Sequence, residues 1–205
     1  NPGALEVCDG VDNDCDQLVD DADDIESSDT LWGLDSDGDG FGDSENTVYA
    51  CEQPSGYVSN TDDCADSDSH TYNGAAYNES DSECMTDADG DGFGDINPST
   101  PGAQAGTDCN DSDPNTYVGA AENDSSTECM TDSDGDGYGD WLPGTQTVQS
   151  GSDCDDSNSD INVDGTEVCG DGIDNDCDGE IDDGLAIDAL TWYLDSDGDG
   201  FRDPN

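Results

Sequence analysis

The sequence predicts a mostly irregular, extended repeat array, stabilised by calcium and disulfides, with short β-strands and few or no helices. Three observations predict this class. A nine-residue stretch, Asp-x-Asp-Gly-Asp-Gly-aromatic-x-Asp, occurs at 35–43, 87–95, 132–140 and 195–203. Of 205 residues, 56 are acidic and one is basic, for a net charge of −55, while only 30% are hydrophobic. Ten cysteines are spread along a chain without a helical apolar period. So acidic a chain buries too little apolar surface to offset its ordering entropy, and its charges repel. Bound dications and cross-links are the remaining sources of order.

Each nine-residue stretch reads as a cation loop. Hard cations such as Ca²⁺ take six to eight oxygens at about 2.3–2.6 Å, and carboxylates at alternate positions of a tight turn supply them. The expected ligands are Asp35, Asp37, Asp39 and Asp43; Asp87, Asp89, Asp91 and Asp95; Asp132, Asp134, Asp136 and Asp140; and Asp195, Asp197, Asp199 and Asp203. The aromatics Phe41, Phe93, Tyr138 and Phe201 are expected to turn a carbonyl towards the ion and the ring away. An EF-hand would close with Glu at position 12, where Asn46, Pro98 and Pro143 stand instead, so closure falls to the Asp at position 9.

Two stretches fit the same template with Cys inside: Asp12, Asp14, Asp16 and Asp20, and Asp174, Asp176, Asp178 and Asp182. A shorter Asp-Cys motif places Asp63, Asp66 and Asp68; Asp108, Asp111 and Asp113; and Asp153 and Asp156. Its carboxylates are too few for a shell of their own. They are expected to complete a neighbouring loop or to hold a second ion. The loops together imply roughly 6 to 10 Ca²⁺ per chain, at six to eight oxygens each.

The chain repeats on two scales. Cys64, Cys109 and Cys154 are spaced by 45 residues, as are Cys84 and Cys129. Residues from Asn162 onward repeat those from Asn1, with one residue inserted after Cys169, which defines a super-repeat of 161 residues. A fixed period of this size marks a stacked array. The divisions are 1–43 (a partial repeat with the Asp-Asn-Asp-Cys-Asp motif and a loop), 44–84 (a strand-containing unit), 85–129 and 130–169 (calcium repeats), and 170–205 (the start of a second super-repeat). In 44–84, Thr47–Cys51 and Gly56–Val58 are expected to pair as strands. Without an initiator Met or a signal peptide, the chain reads as processed or partial.

Cysteine counting favours consecutive disulfides: Cys8–Cys15, Cys51–Cys64, Cys84–Cys109, Cys129–Cys154 and Cys169–Cys177. This set uses every cysteine and gives both 45-residue units the same bridge. The rival, Cys64–Cys84 with Cys109–Cys129, leaves Cys51 and Cys154 far apart in sequence. Disulfides imply an oxidising, extracellular or cell-surface setting.

DCADSDSHTYNGAA (63–76), PGALEVCDGVDNDCD (2–16) and WYLDSDGDGFRD (192–203) resemble the MopE-type metal-binding repeats of bacterial secreted and surface proteins. The loops alone resemble thrombospondin type 3 repeats. The resemblance implies an extracellular, calcium-loaded array with little regular structure. Gln17 and Arg202 depart from its glycines, and Arg202 is expected to weaken the last loop. The family's name-giving protein is associated with copper. Copper prefers soft or imidazole ligands, and only His70, Met85 and Met130 offer them outside the cysteines.

Other features read more plainly. Asn78 and Asn123 head glycosylation sequons in 45-residue registry, which makes glycans candidate partners. Trp32, Trp141 and Trp192 are expected to form small apolar plugs beside the loops, and His70 to lie on the surface. The net charge disfavours nucleic acid, and no run approaches the ~20 apolar residues of a membrane span. With no Lys and one His, the carboxylates read as ligands rather than catalysts, so the chain is not expected to be an enzyme. The expected role is a calcium-binding structural segment of a stalk or filament, partnered head-to-tail by other copies of itself. The alternative is a calcium- or metal-buffering or mineral-binding acidic module.

Overall fold

The structure, a computed structural model, describes residues 4–22, 30–145, 147–184, 186–196, 198, 200 and 201. The regular elements among them are short, as the sequence predicts. A 3-10 turn spans Asp20–Ala22. The strands are β1 (Leu31–Leu34), β2 (Asp43–Tyr49), β3 (Tyr57–Val58), β4 (Thr71–Asn73), β5 (Cys84–Thr86), β6 (Thr116–Val118) and β7 (Cys129–Thr131).

β1, β2 and β3 form an antiparallel sheet in the order β2-β1-β3. The first cation loop is the connection between β1 and β2. Its turn brings Leu34 opposite Asp43, and the pairing runs on to Leu31 opposite Tyr49. The two runs expected to pair with each other therefore do not. The loop delivers β2 to one edge of β1, and β3 takes the other edge, with Gly33 opposite Val58. Elsewhere the strands form two-stranded ribbons, β4 with β5 and β6 with β7. In the first of these Thr71 faces Thr86, and their hydroxyls bond at 2.7 Å in a buried position.

The chain forms two compact units, 1–117 and 118–205. Among the described residues, neither shows an apolar core of ordinary size. The buried hydrophobic residues are few and mostly small: Ala50, Ala75, Ala76 and Met85 in the first unit, and Ala121, Met130, Val148, Ile161 and Ala186 in the second. Among the described residues, the largest fully buried side chains are Glu6, Thr71, Thr116, Asp108 and Asp153. Three of these five are acids. Burying a charge is costly unless it is paired or coordinates a metal, so the interior itself calls for cations. Trp32 follows the plug expectation, half-buried with its Nε1 donating to the Ala50 carbonyl at 3.0 Å. Trp141 and Trp192 do not, being 46% and 85% exposed.

The disulfides follow the rival pattern. Cys8 pairs with Cys51, Cys64 with Cys84, and Cys154 with Cys177, while Cys15 and Cys169 are free thiols. Cys109 and Cys129 are also disulfide-bonded. Cys8–Cys15, Cys51–Cys64, Cys84–Cys109, Cys129–Cys154 and Cys169–Cys177 are thus all corrected. In the consecutive pairing the long bridges would have drawn each Asp-Cys motif onto the preceding loop. Backbone pairing does that instead: Asp43 bridges to Asp63, Asp95 to Asp108, and Asp140 to Asp153. The cysteine of the motif is left to reach forward, so Cys64–Cys84 links the end of one centre to the entry of the next loop.

Candidate metal centres

Every nine-residue loop is wound on its own backbone amides. In the second and third loops the first carboxylate accepts from the N–H groups at positions 4 and 6, Asp87 from Gly90 (2.7 Å) and Gly92 (2.9 Å), and Asp132 from Gly135 (2.7 Å) and Gly137 (2.8 Å). Those glycines sit at φ of +83°, +90°, +80° and +91°, where a side chain would be strained. The third and fifth carboxylates each give one oxygen to the backbone two residues on. Asp89 accepts from Asp91 at 3.2 Å and Asp91 from Phe93 at 2.7 Å. Asp195 repeats the pattern with Gly198 (2.8 Å) and Gly200 (2.9 Å). Asp197, Asp199, Arg202 and Asp203 lie outside the described residues.

The Asp-Cys motif docks on the loop through the glycine at position 8. Asp63, Asp108 and Asp153 donate their N–H groups to the carbonyls of Gly42 (3.2 Å), Gly94 (2.8 Å) and Gly139 (2.9 Å). A Cβ at Gly42 would lie 2.7–2.9 Å from the backbone of Gly33, so the close passage of the first loop against β1 requires glycine there. Asp63, Asp108 and Asp153 are buried and spend one oxygen on the N–H two residues on, at 2.7–2.8 Å. Asp66, Asp111 and Asp156 clamp the second loop position through the N–H groups of Ser36, Ala88 and Ser133, at 2.7, 2.7 and 2.9 Å.

The remaining oxygens are the ones that fit a cation. Among the described residues, the buried side-chain polar atoms with no hydrogen-bond partner are all aspartate oxygens: those of Asp37, Asp39, Asp63, Asp89, Asp91, Asp108, Asp134, Asp153 and Asp176. They fall at positions 3 and 5 of the loops and at the first Asp of the Asp-Cys motif. Ligand oxygens of Asp89, Asp91 and Asp108 lie within 4.8 Å of one another, as do those of Asp35, Asp37 and Asp39, and of Asp132, Asp134 and Asp136. Oxygens across an ion bound at about 2.4 Å stand about 4.8 Å apart. Asp89 also groups with Asp87 and Asp111, so one carboxylate serves two clusters. Burial first, then the neighbouring carboxylates, push Asp108 and Asp153 up to about 7 and Asp63, Asp91 and Asp111 up to about 6. Like charges confined in this way hold protons until a cation replaces them.

Not every expected ligand turns inward. Asp68 accepts from the Thr100 and Thr71 hydroxyls (2.6 and 3.0 Å), and Asp113 from Thr116 (2.9 Å), so these two cap the ribbons. Asp20 caps the turn at Asp9 and Gly10, and Asp182 the turn at Gly170. Asp12 and Asp174 wrap their own loops as position 1 does elsewhere. Asp43, Asp95 and Asp140 each accept from the N–H two residues on at 2.7–2.8 Å. The rings of Phe41 and Phe93 face away from the ligands, stacked on Tyr72 and Tyr117 at 4.1 Å, and the Tyr138 hydroxyl donates to Asp164 at 2.7 Å. His70 is exposed, as expected, 3.7 Å from Asp68.

Four supporting acids escaped the sequence reading. Glu79 and Asp124 accept the position 8 N–H groups of Gly94 (2.8 Å) and Gly139 (2.9 Å). Each is the middle residue of a sequon, and the sequon Asn does related work. Asn78 and Asn123 donate Nδ2 to the carbonyls of Asp91 (2.9 Å) and Asp136 (3.0 Å). Glu6 and Glu167 are buried and hold both ends of the Cys-containing loops, Glu6 through Asn13 and Asp20, Glu167 through Asn175 and Asp182. Glu6 also groups with Asp12 and Asp14 in an arrangement that could hold an ion. The matching Glu-Val-Cys of the two super-repeats was the available signal.

The model of the family described as "Putative metal-binding motif" (Cu-binding MopE) matches residues 1–21, 63–84, 108–126 and 153–183. These segments carry the Asp-Cys motifs and both Cys-containing loops, while three of the nine-residue loops lie between them and the fourth follows the last. No curated protein and no solved structure matches the chain.

Proposed function

From a chain that carries four copies of the MopE-type metal-binding motif, we propose a secreted or cell-surface structural protein whose repeats are stiffened by calcium into a segment of a stalk or filament. The observation that carries this reading is the convergence of partnerless buried oxygens from Asp89, Asp91 and Asp108. All three are hard carboxylate ligands, which suit Ca²⁺ over copper. Asp89 and Asp91 would hold the ion from the loop and Asp108 from the docked Asp-Cys motif, and the ion would supply the charge that lets the three lie together. The carboxylates serve as ligands and not as catalysts, and the thin apolar interior makes the ions structural rather than stored cargo. Imaging of the native particle with and without chelator tests the role. The expected result is a rod whose length scales with repeat number and which loses its stiffness in EDTA. Particles unchanged by chelator would overturn the structural role, and fully reversible loading without any change of shape would favour a buffer.

A further inference from the structure

We propose that Asn162 sets the calcium affinity of the 132–140 centre, making it the weakest of the first three loops and the first of them to release its ion as calcium falls. This rests on the calcium reading and adds an order of filling to it.

The three centres are alike in how position 5 spends its first oxygen. Asp39 accepts from the N–H of Phe41 at 2.7 Å, Asp91 from Phe93 at 2.7 Å, and Asp136 from Tyr138 at 2.8 Å. They differ at the second oxygen. In Asp39 and Asp91 it is buried and has no hydrogen-bond partner, so it is open to a cation. In Asp136 it accepts from Asn162 Nδ2 at 2.7 Å. Both oxygens of Asp136 are therefore engaged by donors. The partnerless buried oxygens left in that centre belong to Asp134 and Asp153.

The sequence shows where the difference arises. Asn162 follows Asp153 at the spacing by which Tyr72 follows Asp63 and Tyr117 follows Asp108. Those tyrosines stack on the rings of Phe41 and Phe93. Asn162 is shorter and brings an amide to the position 5 carboxylate instead. The amide is held from three sides. Its Oδ1 accepts from the Asp164 N–H at 3.0 Å, and its Nδ2 also reaches the Ser159 carbonyl at 3.4 Å. A flipped amide would set Nδ2 against the Asp164 N–H, so the donor side faces Asp136. Asn162 is 8% exposed, and its backbone is anchored too, its N–H on the Asn175 carbonyl (3.3 Å) and its carbonyl on the Gly165 N–H (2.8 Å). It is not free to swing aside. An ion at this centre must share the Asp136 oxygen with a hydrogen of partial positive charge, or displace it. Hydrogen bonds to a charged group are the stronger kind, and giving one up or sharing it lowers affinity by about tenfold.

The test follows Gly92 and Gly137 by amide NMR during a calcium titration of the full chain with its disulfides formed. These glycines stand at position 6 and donate to Asp87 and Asp132, so each reports its own loop. Half-response at Gly137 should need about tenfold more free calcium than at Gly92. Asn162→Leu removes the N–H at similar volume. Asn162→Asp keeps the shape and an acceptor for the Asp164 N–H, with oxygen in place of the donor, and so guards against a variant that fails to fold. Each should lower the Gly137 midpoint by about tenfold and leave the Gly92 midpoint where it was. Equal midpoints in the native chain would overturn the proposal. So would a Gly137 midpoint that the folded variants leave unchanged or raise, since Asn162 would then be a bystander or a support for the ligand. These outcomes leave the calcium reading standing, whereas two glycines that both ignore calcium would overturn that reading as well.

Discussion

Stripping calcium with EDTA, disulfides intact, expands the chain and erases most of its protection against proteolysis. The buried set explains the size of the effect. Asp63, Asp108, Asp153, Glu6 and Glu167 are buried, and the apolar interior is little more than alanines, two methionines, a valine and an isoleucine. Without cations the converging carboxylates repel in a low-dielectric setting, and no hydrophobic core resists them. The expansion depends on pH. Asp108 and Asp153 are raised to about 7, and Asp63, Asp91 and Asp111 to about 6. Unfolded Asp titrates near 3.9, so between about 4 and 7 the ion-free fold binds more protons than the unfolded chain, and its stability falls as pH rises. Ion-free chain is therefore most compact near pH 4 and most expanded near pH 8, as about one proton per raised group is lost. The loaded chain shows the opposite trend, because cations and protons compete for the same oxygens. Scattering across pH, with and without EDTA, reads both curves. A compact chain in EDTA at pH 8 would contradict the account.

Asp89→Ala has the largest expected effect of any single substitution. Asp89 belongs to the cluster with Asp91 and Asp108 and to the cluster with Asp87 and Asp111. Its loss should weaken calcium at that loop by about ten- to a hundredfold, or about 1.4–2.8 kcal/mol. Stability that the ion supplies is lost with it, on the order of 2.7 kcal/mol where calcium had been present at a hundred times its dissociation constant. The damage should stay in the 87–113 centre and its immediate neighbours, because a repeat couples mainly to the next one. Asp113→Ala is the control, since Asp113 caps the Thr116 hydroxyl. It should cost local stability with little change in the number of ions bound. Calorimetric titration of both variants checks the contrast. Equal ion loss in the two would mean that the inner and outer carboxylates had been confused.

The loop chemistry was legible in the sequence because a local turn fixes it. Alternating carboxylates, glycines at positions 4 and 6, and an Asp-Cys motif at constant distance are all local patterns, and the structure docks the motif on the loop through Gly42, Gly94 and Gly139. The disulfides were not legible, because pairing depends on which segments the backbone bridges bring together. Asp95 with Asp108 is such a bridge, and it makes the expected Cys84–Cys109 bond unnecessary. The strand order also escaped, since β1 reads as a lead-in to the loop and not as the strand both neighbours share. Glu79 and Asp124 were hidden inside sequons, where their glycosylation reading masked their hydrogen bonds to Gly94 and Gly139. Asp68 and Asp113 looked like ligands by spacing alone, but threonine hydroxyls sit within reach of their carboxylates and claim them.

The claim that these are hard-cation centres is tested most directly by metal content. The chain, stripped and then dialysed against equal free concentrations of Ca²⁺ and Cu²⁺, is analysed for both metals by mass spectrometry. The account predicts several calcium ions per chain, at least one for each nine-residue loop, with copper at trace level. Stoichiometric copper, or fewer than one calcium per chain, would contradict it.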